Sequence, residues 1–220
     1  MPVPKWCKTI IAVLLLPVCA GAAMALARVL RASGTADTLW VPLLCGAACW
    51  LGVYLLLPKP MLVYVFGHEL THVVWTWLMG GQVKKFKVTA DGGHVVVTKS
   101  NFLIALAPYF FPFYAVLVVA TFLAGRWLWG WQRYEAWFHL LLGAAYAFHV
   151  TLTWHILKHS QSDITEQGYI FSSVVIFLGN IGVLLLGLPL LTANLTLLTA
   201  MRWWGGDTVE LIRRAVALWR

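Results

Sequence analysis

Apolar residues run in six long blocks along the chain, at about 9–30, 38–57, 61–80, 102–125, 136–157 and 169–199, each bounded by charge, proline or glycine. A bilayer core needs about 20 apolar residues per helical crossing, and a backbone in lipid must satisfy its own hydrogen bonds. The pattern therefore predicts an all-α polytopic membrane protein with about six transmembrane helices. The last block is longer than one crossing and contains Gly187 and Pro189, where a kink or an interfacial continuation is expected. Only Pro58-Lys59-Pro60 separates the second block from the third, which makes those two helices antiparallel neighbours. Lys5 and Lys8 before the first block also suit a secretory signal. Its length and the following Arg28 and Arg31 favour an uncleaved span.

Two polar stretches break the pattern. Residues 82–99 carry β-branched runs on either side of Asp91-Gly92-Gly93, the signature of a β-hairpin between the third and fourth spans. It reads equally as an extramembrane connector or as an exposed sheet edge that pairs with an unwound substrate strand. From Asp207, an N-cap candidate, to Arg220, apolar Val209, Ile212, Val216 and Trp219 recur at helical spacing against Glu210, Arg213 and Arg214. That is the pattern of an amphipathic helix on the membrane surface.

Composition narrows the class. Hydrophobic residues make up 61% of the 220 and charged ones 11%, which leaves little for a separate soluble domain, so residues 1–220 are expected to form one membrane-embedded domain. The net charge of +8 is dispersed between apolar blocks and forms no basic stripe, so the lipid bilayer is the expected partner and nucleic acid is not. Many of the 13 tryptophans, Trp6, Trp40, Trp127, Trp129 and Trp203 among them, stand near block ends as an aromatic belt. Cys7, Cys19, Cys45 and Cys49 lie in or beside apolar stretches and read as packing residues. The Lys/Arg distribution leans slightly toward cytoplasmic termini.

The third block holds His68-Glu69-Leu70-Thr71-His72 in an otherwise apolar helix. Ionisable groups at membrane depth are costly and mark function by default. At i and i+4 the two histidines share a helix face, the geometry two imidazoles need to bind one zinc, and Glu69 is placed to act as general base. A catalytic zinc generally has three protein ligands. Asp163, in the polar segment Ser160–Gly168, is the preferred third, with Glu166 second. The competing reading of Asp163 is a cap of the sixth helix. His155 and His159 repeat the i, i+4 spacing but have no adjoining carboxylate and stand at a membrane edge. His94, His139 and His149 have no partner at helical spacing and read as structural.

This constellation resembles the site-2 protease family of intramembrane metalloproteases. His68, Glu69 and His72 are similar to that family's ligand, base and ligand in a membrane helix, and Asp163 resembles its third ligand, supplied from a later helix. No Asp-Gly pair accompanies Asp163, which marks a divergent branch. The resemblance implies a zinc-dependent endopeptidase that hydrolyses membrane-protein or transmembrane-peptide substrates, with Asn101 a candidate to help hold the substrate oxyanion. The alternative is a non-proteolytic membrane protein with a structural or vestigial zinc site.

Overall fold

A computed structural model describes residues 3–34, 36–89, 92–192 and 195–218. In chain order the elements are α1 (Lys5–Leu14), α2 (Leu16–Ser33), α3 (Asp37–Leu56), α4 (Met61–Leu78), strands β1 (Val83–Thr89) and β2 (Gly92–Val97), α5 (Phe102–Leu106), α6 (Phe113–Trp129), α7 (Glu135–Leu157), α8 (Ser162–Gln167), α9 (Tyr169–Leu191) and α10 (Leu197–Ala217). They fall into two compact units, one of Met1–Ala36 with Ser162–Arg220 and one of Asp37–Gln161.

In the first unit, α1 and α2 part at Leu15. Pro17 has no N–H to offer the Val13 carbonyl, so the helix ladder is interrupted there. Ala12, Cys19, Phe171 and Val174 form a shared core. α2 meets α10 closely because Gly21 has no side chain where the Thr208 backbone and hydroxyl lie, and Arg28 pairs with the buried Asp207 at 2.8 Å. Two boundaries differ from the sequence expectation. The sixth block ends as α9 at Leu191, with Pro189 inside the helix. The C-terminal helix starts at Leu197, where the Thr196 hydroxyl accepts from the Thr199 N–H, so Asp207 lies mid-helix and is no N-cap. Trp219 lies outside the described residues.

In the second unit, α3 and α7 approach backbone to backbone, Gly46 against the Leu140 carbonyl and Gly143 against that of Leu43. Small residues at such crossings are how helices associate in lipid. Trp50 Nε1 donates to Thr151 Oγ1 at 2.8 Å across the same pair. Pro42 inside α3 leaves the Thr38 carbonyl without its i+4 donor, and His139 Nδ1 of α7 donates to it at 3.0 Å. Cys45 and Cys49 face outward and do not pack in the core. The fourth block, expected as one span, is broken: α5 runs into a 3₁₀ turn at Ala107–Tyr109 and then α6, with an 81° bend. Pro108 and Pro112 withhold two helix donors there, four residues apart.

Among the described residues, four helices are long and apolar enough to cross a membrane: Leu16–Ser33, Asp37–Leu56, Trp131–Leu157 and Tyr169–Leu191. The bent α5–α6 pair is a fifth if counted as one span. α4, the expected third span, is 18 residues long but is diluted in apolar content by His68, Glu69 and His72. These helices are consistent with a membrane protein.

Candidate metal centre

Helix α4 starts directly after Pro60, whose ring presets the chain for a first turn, and gives way at Gly80, which adopts φ 69°. Tyr64 and Val65 pack with Leu152 of α7, and this contact sets the rotation of α4. Glu69, Thr71 and Thr76 are thereby turned inward, while Leu62, Phe66 and Leu78 face out. The polar face of α4 is its buried face, the reverse of a helix in water.

His68 and His72 are both half-buried, their ring centroids 5.1 Å apart at an interplanar angle of 76°. Two imidazoles bonded to one tetrahedral ion at ~2.1 Å hold their centroids roughly 5 Å apart, so the pair fits a shared divalent ion. Imidazole suits several transition metals, zinc among them. His68 is flanked by the rings of Tyr64 and Tyr109, at 5.9 and 5.3 Å.

The orientation of His72 has a distinct cause. Its Nδ1 lies 2.8 Å from the Ile104 carbonyl oxygen. A carbonyl only accepts, so Nδ1 carries the proton, and the neutral ring presents its lone pair at Nε2, the end a metal takes. In a continuous helix the Ile104 carbonyl would receive the N–H of residue 108, which is proline. The break that bends the fourth block thus releases the acceptor that holds His72.

Glu69 is 6% exposed. The hairpin covers it: β1 and β2 pair antiparallel, Val88 opposite Gly93, and a Cβ on Gly93 would stand 2.7 Å from Glu69 Cγ. Phe86 meets Phe66 of α4 edge-on at 6.0 Å, and Val88 packs on the Tyr64–Val65 cluster. The hairpin therefore packs against the helix that carries Glu69. Ala90 and Asp91 of its turn lie outside the described residues.

Asp163 belongs to the other compact unit, half-buried in the first turn of α8, where Glu166 is exposed. Asn101 caps α5, its Oδ1 accepting from the Ile104 N–H at 2.9 Å, and its Nδ2 approaches Met79 Sδ. His155 and His159 have ring centroids 6.2 Å apart, and His159 is exposed beyond the end of α7. Sequence reasoning missed two residues. Pro108 holds His72 only through a contact 32 residues distant. His149, read as structural, lines a cavity beside His68 together with Tyr64, Thr71 and Tyr114, and no spacing along the chain announces it.

Comparison of the chain with protein-family models, with curated proteins and with solved structures returns no match.

Proposed function

We propose that the protein is a multi-pass, zinc-dependent intramembrane endopeptidase similar to the site-2 proteases, with zinc bound by His68, His72 and Asp163. The observation that carries this reading is helix α4, with buried Glu69 between half-buried His68 and His72 and with His72 held by the Ile104 carbonyl in the tautomer that leaves its lone pair on Nε2. Two imidazole nitrogens and a carboxylate oxygen are a donor set that catalytic zinc takes. Asp163 is preferred to Glu166 because a half-buried carboxylate gains more from a cation than an exposed one.

A bound zinc supplies a Lewis acid for the scissile carbonyl and increases the acidity of the attacking water. Glu69, next to His68 on the helix, takes the water's proton and delivers it to the leaving amine. Its burial under Gly93 restricts its rotamers, so the carboxylate is positioned before substrate arrives. The substrate helix must unwind locally, because its amides are otherwise hydrogen-bonded, and the hairpin beside Glu69 offers a strand edge to receive it.

The test measures zinc per chain and cleavage of single-span substrates by detergent-purified protein. Wild type is expected to hold one zinc, with His68→Ala, His72→Ala and Asp163→Ala losing it and Glu166→Ala keeping it. Glu69→Gln keeps zinc and loses cleavage. A wild-type chain that takes up no zinc after metal loading, or a Glu69→Gln variant that still cleaves, rejects the proposal.

A further inference from the structure

Two histidines are buried in α7, His139 at 4% exposure and His149 at 6%. They differ in what meets them. His139 Nδ1 donates to the Thr38 carbonyl left open by Pro42, a structural pairing. His149 Nε2 is buried and meets no hydrogen-bond partner. An imidazole nitrogen taken out of solvent and left unmatched is unfavourable, and such a group in a folded protein points to something that completes it.

The surroundings define what that something is. His149 lines the cavity beside His68, between α4, the Pro108 turn and α6, with Tyr64, Gly67, Thr71 and Tyr114 on its wall. The cavity measures about 20 Å³. One water needs ~10–15 Å³ on this measure, so there is room for one oxygen-sized group and little more. Its remaining walls include Phe111, Phe113 and Phe148, which offer an oxygen no hydrogen bond. The narrow space persists because Gly67 has no side chain: a Cβ there would stand 2.6 Å from the Tyr114 ring. Tyr114 is itself fixed by its hydroxyl, which donates to the Val63 carbonyl.

We propose that His149 is a catalytic residue whose Nε2–H donates a hydrogen bond to the oxygen of the scissile peptide carbonyl, received in this cavity beside His68. The inference rests on the endopeptidase reading above. During hydrolysis that oxygen gains negative charge, and a donor fixed in a low-dielectric pocket strengthens as the charge grows. Base and donor also stand apart as the chemistry requires: consecutive helix residues diverge by about 100°, so the cavity on the His68 side of α4 is separated from Glu69 under the hairpin. Water is activated on one side and the carbonyl oxygen is received on the other.

The experiment uses full-length, zinc-loaded protein in detergent, with His149→Phe, His149→Gln and Glu69→Gln beside wild type. Zinc content, kcat and KM on a single-span peptide are measured, together with ¹⁵N histidine spectra of the Glu69→Gln protein. All variants are expected to keep zinc. His149→Phe should lower kcat about 100-fold or more with KM little changed, as loss of one oxyanion donor does, and His149→Gln should recover part of the loss through its amide N–H. The spectra should show the His149 proton on Nε2. An unchanged kcat in His149→Phe, a bare Nε2 in the spectra, or loss of zinc from both His149 variants overturns the assignment. A wild-type chain that binds zinc and cleaves no peptide overturns the endopeptidase reading and this inference together, whereas an active wild type with an equally active His149→Phe overturns this inference alone.

Discussion

Pro108 and Pro42 perform the same operation at two places and to different ends. Each withholds an N–H from the carbonyl four residues earlier, and each freed carbonyl is met by a histidine Nδ1: Ile104 by His72 at 2.8 Å, Thr38 by His139 at 3.0 Å. A carbonyl behind a metal-ligating imidazole fixes its tautomer and ring orientation, and removing such a partner costs about 10–100-fold in metal affinity. Pro108→Ala gives residue 108 an N–H that competes with His72 for the Ile104 carbonyl. Zinc affinity, measured by titration against a competing chelator, is therefore expected to fall about 10–100-fold in Pro108→Ala and to stay unchanged in Pro42→Ala. Equal affinities in the two variants would show that the His72 contact does not matter to the metal. The His68-Glu69-x-x-His72 pattern was legible from the sequence because helix periodicity alone brings its members to adjoining faces. The role of Pro108 was not, because it depends on a fold that brings α5 to α4.

At the scale of elements, the hairpin and α4 act as one piece. Gly93 lies on the Glu69 side chain, and a Cβ there would stand 2.7 Å from both Glu69 Cγ and the Lys87 carbonyl oxygen. The second of these is backbone and yields little, so in Gly93→Ala either β2 lifts from α4 or Glu69 turns away. A displacement of about 1 Å at a general base can cost on the order of 100-fold. Gly93→Ala is expected to lose at least about tenfold in kcat on this account while retaining zinc, and His94→Ala, one residue along and exposed, is expected to match wild type. Wild-type kcat in Gly93→Ala would mean that the hairpin does not position the base. The hairpin itself was foreseen from β-branched runs around a glycine turn, and most spans from their apolar length. Three junctions were not foreseen. The α5–α6 bend and the α1–α2 break follow from prolines inside apolar runs, where composition alone does not tell a kink from a break. The early start of α10 follows from Thr196, a capping residue that apolar counting passes over.

For the whole molecule, several polar groups are buried within an apolar core while many large apolar side chains are exposed. Glu69, Thr71, Thr76, His139, His149, Thr153 and Ser172 are buried, while Leu14, Leu56, Trp127 and Leu190 are more than two-thirds exposed. That arrangement suits lipid as the surrounding solvent of the apolar spans, with the candidate site's polar groups facing the interior. The decisive element is α4, because it carries the candidate site and is an expected span that is not among the helices long and apolar enough to cross. Its 18 residues extend about 27 Å at ~1.5 Å each, close to the ~30 Å of a bilayer's hydrocarbon core. Lys59 lies in the turn before it, stacked on Tyr54, and Lys99 lies after the hairpin, within 3.5 Å of the Met79 carbonyl at the far end of the helix. If α4 crosses, these two lysines stand on opposite faces of the membrane, and the hairpin between them turns back along α4 toward Glu69. Strand edges at that depth are tolerated only inside protein or beside a wetted cavity, and the proposed hydrolysis would need such a wetted place. Single cysteines at positions 59 and 99, in a variant with the four native cysteines replaced, should react with a membrane-impermeant maleimide from opposite sides of sealed vesicles. Labelling of both from the same side would make α4 a re-entrant element and would move Glu69 from mid-membrane toward one surface.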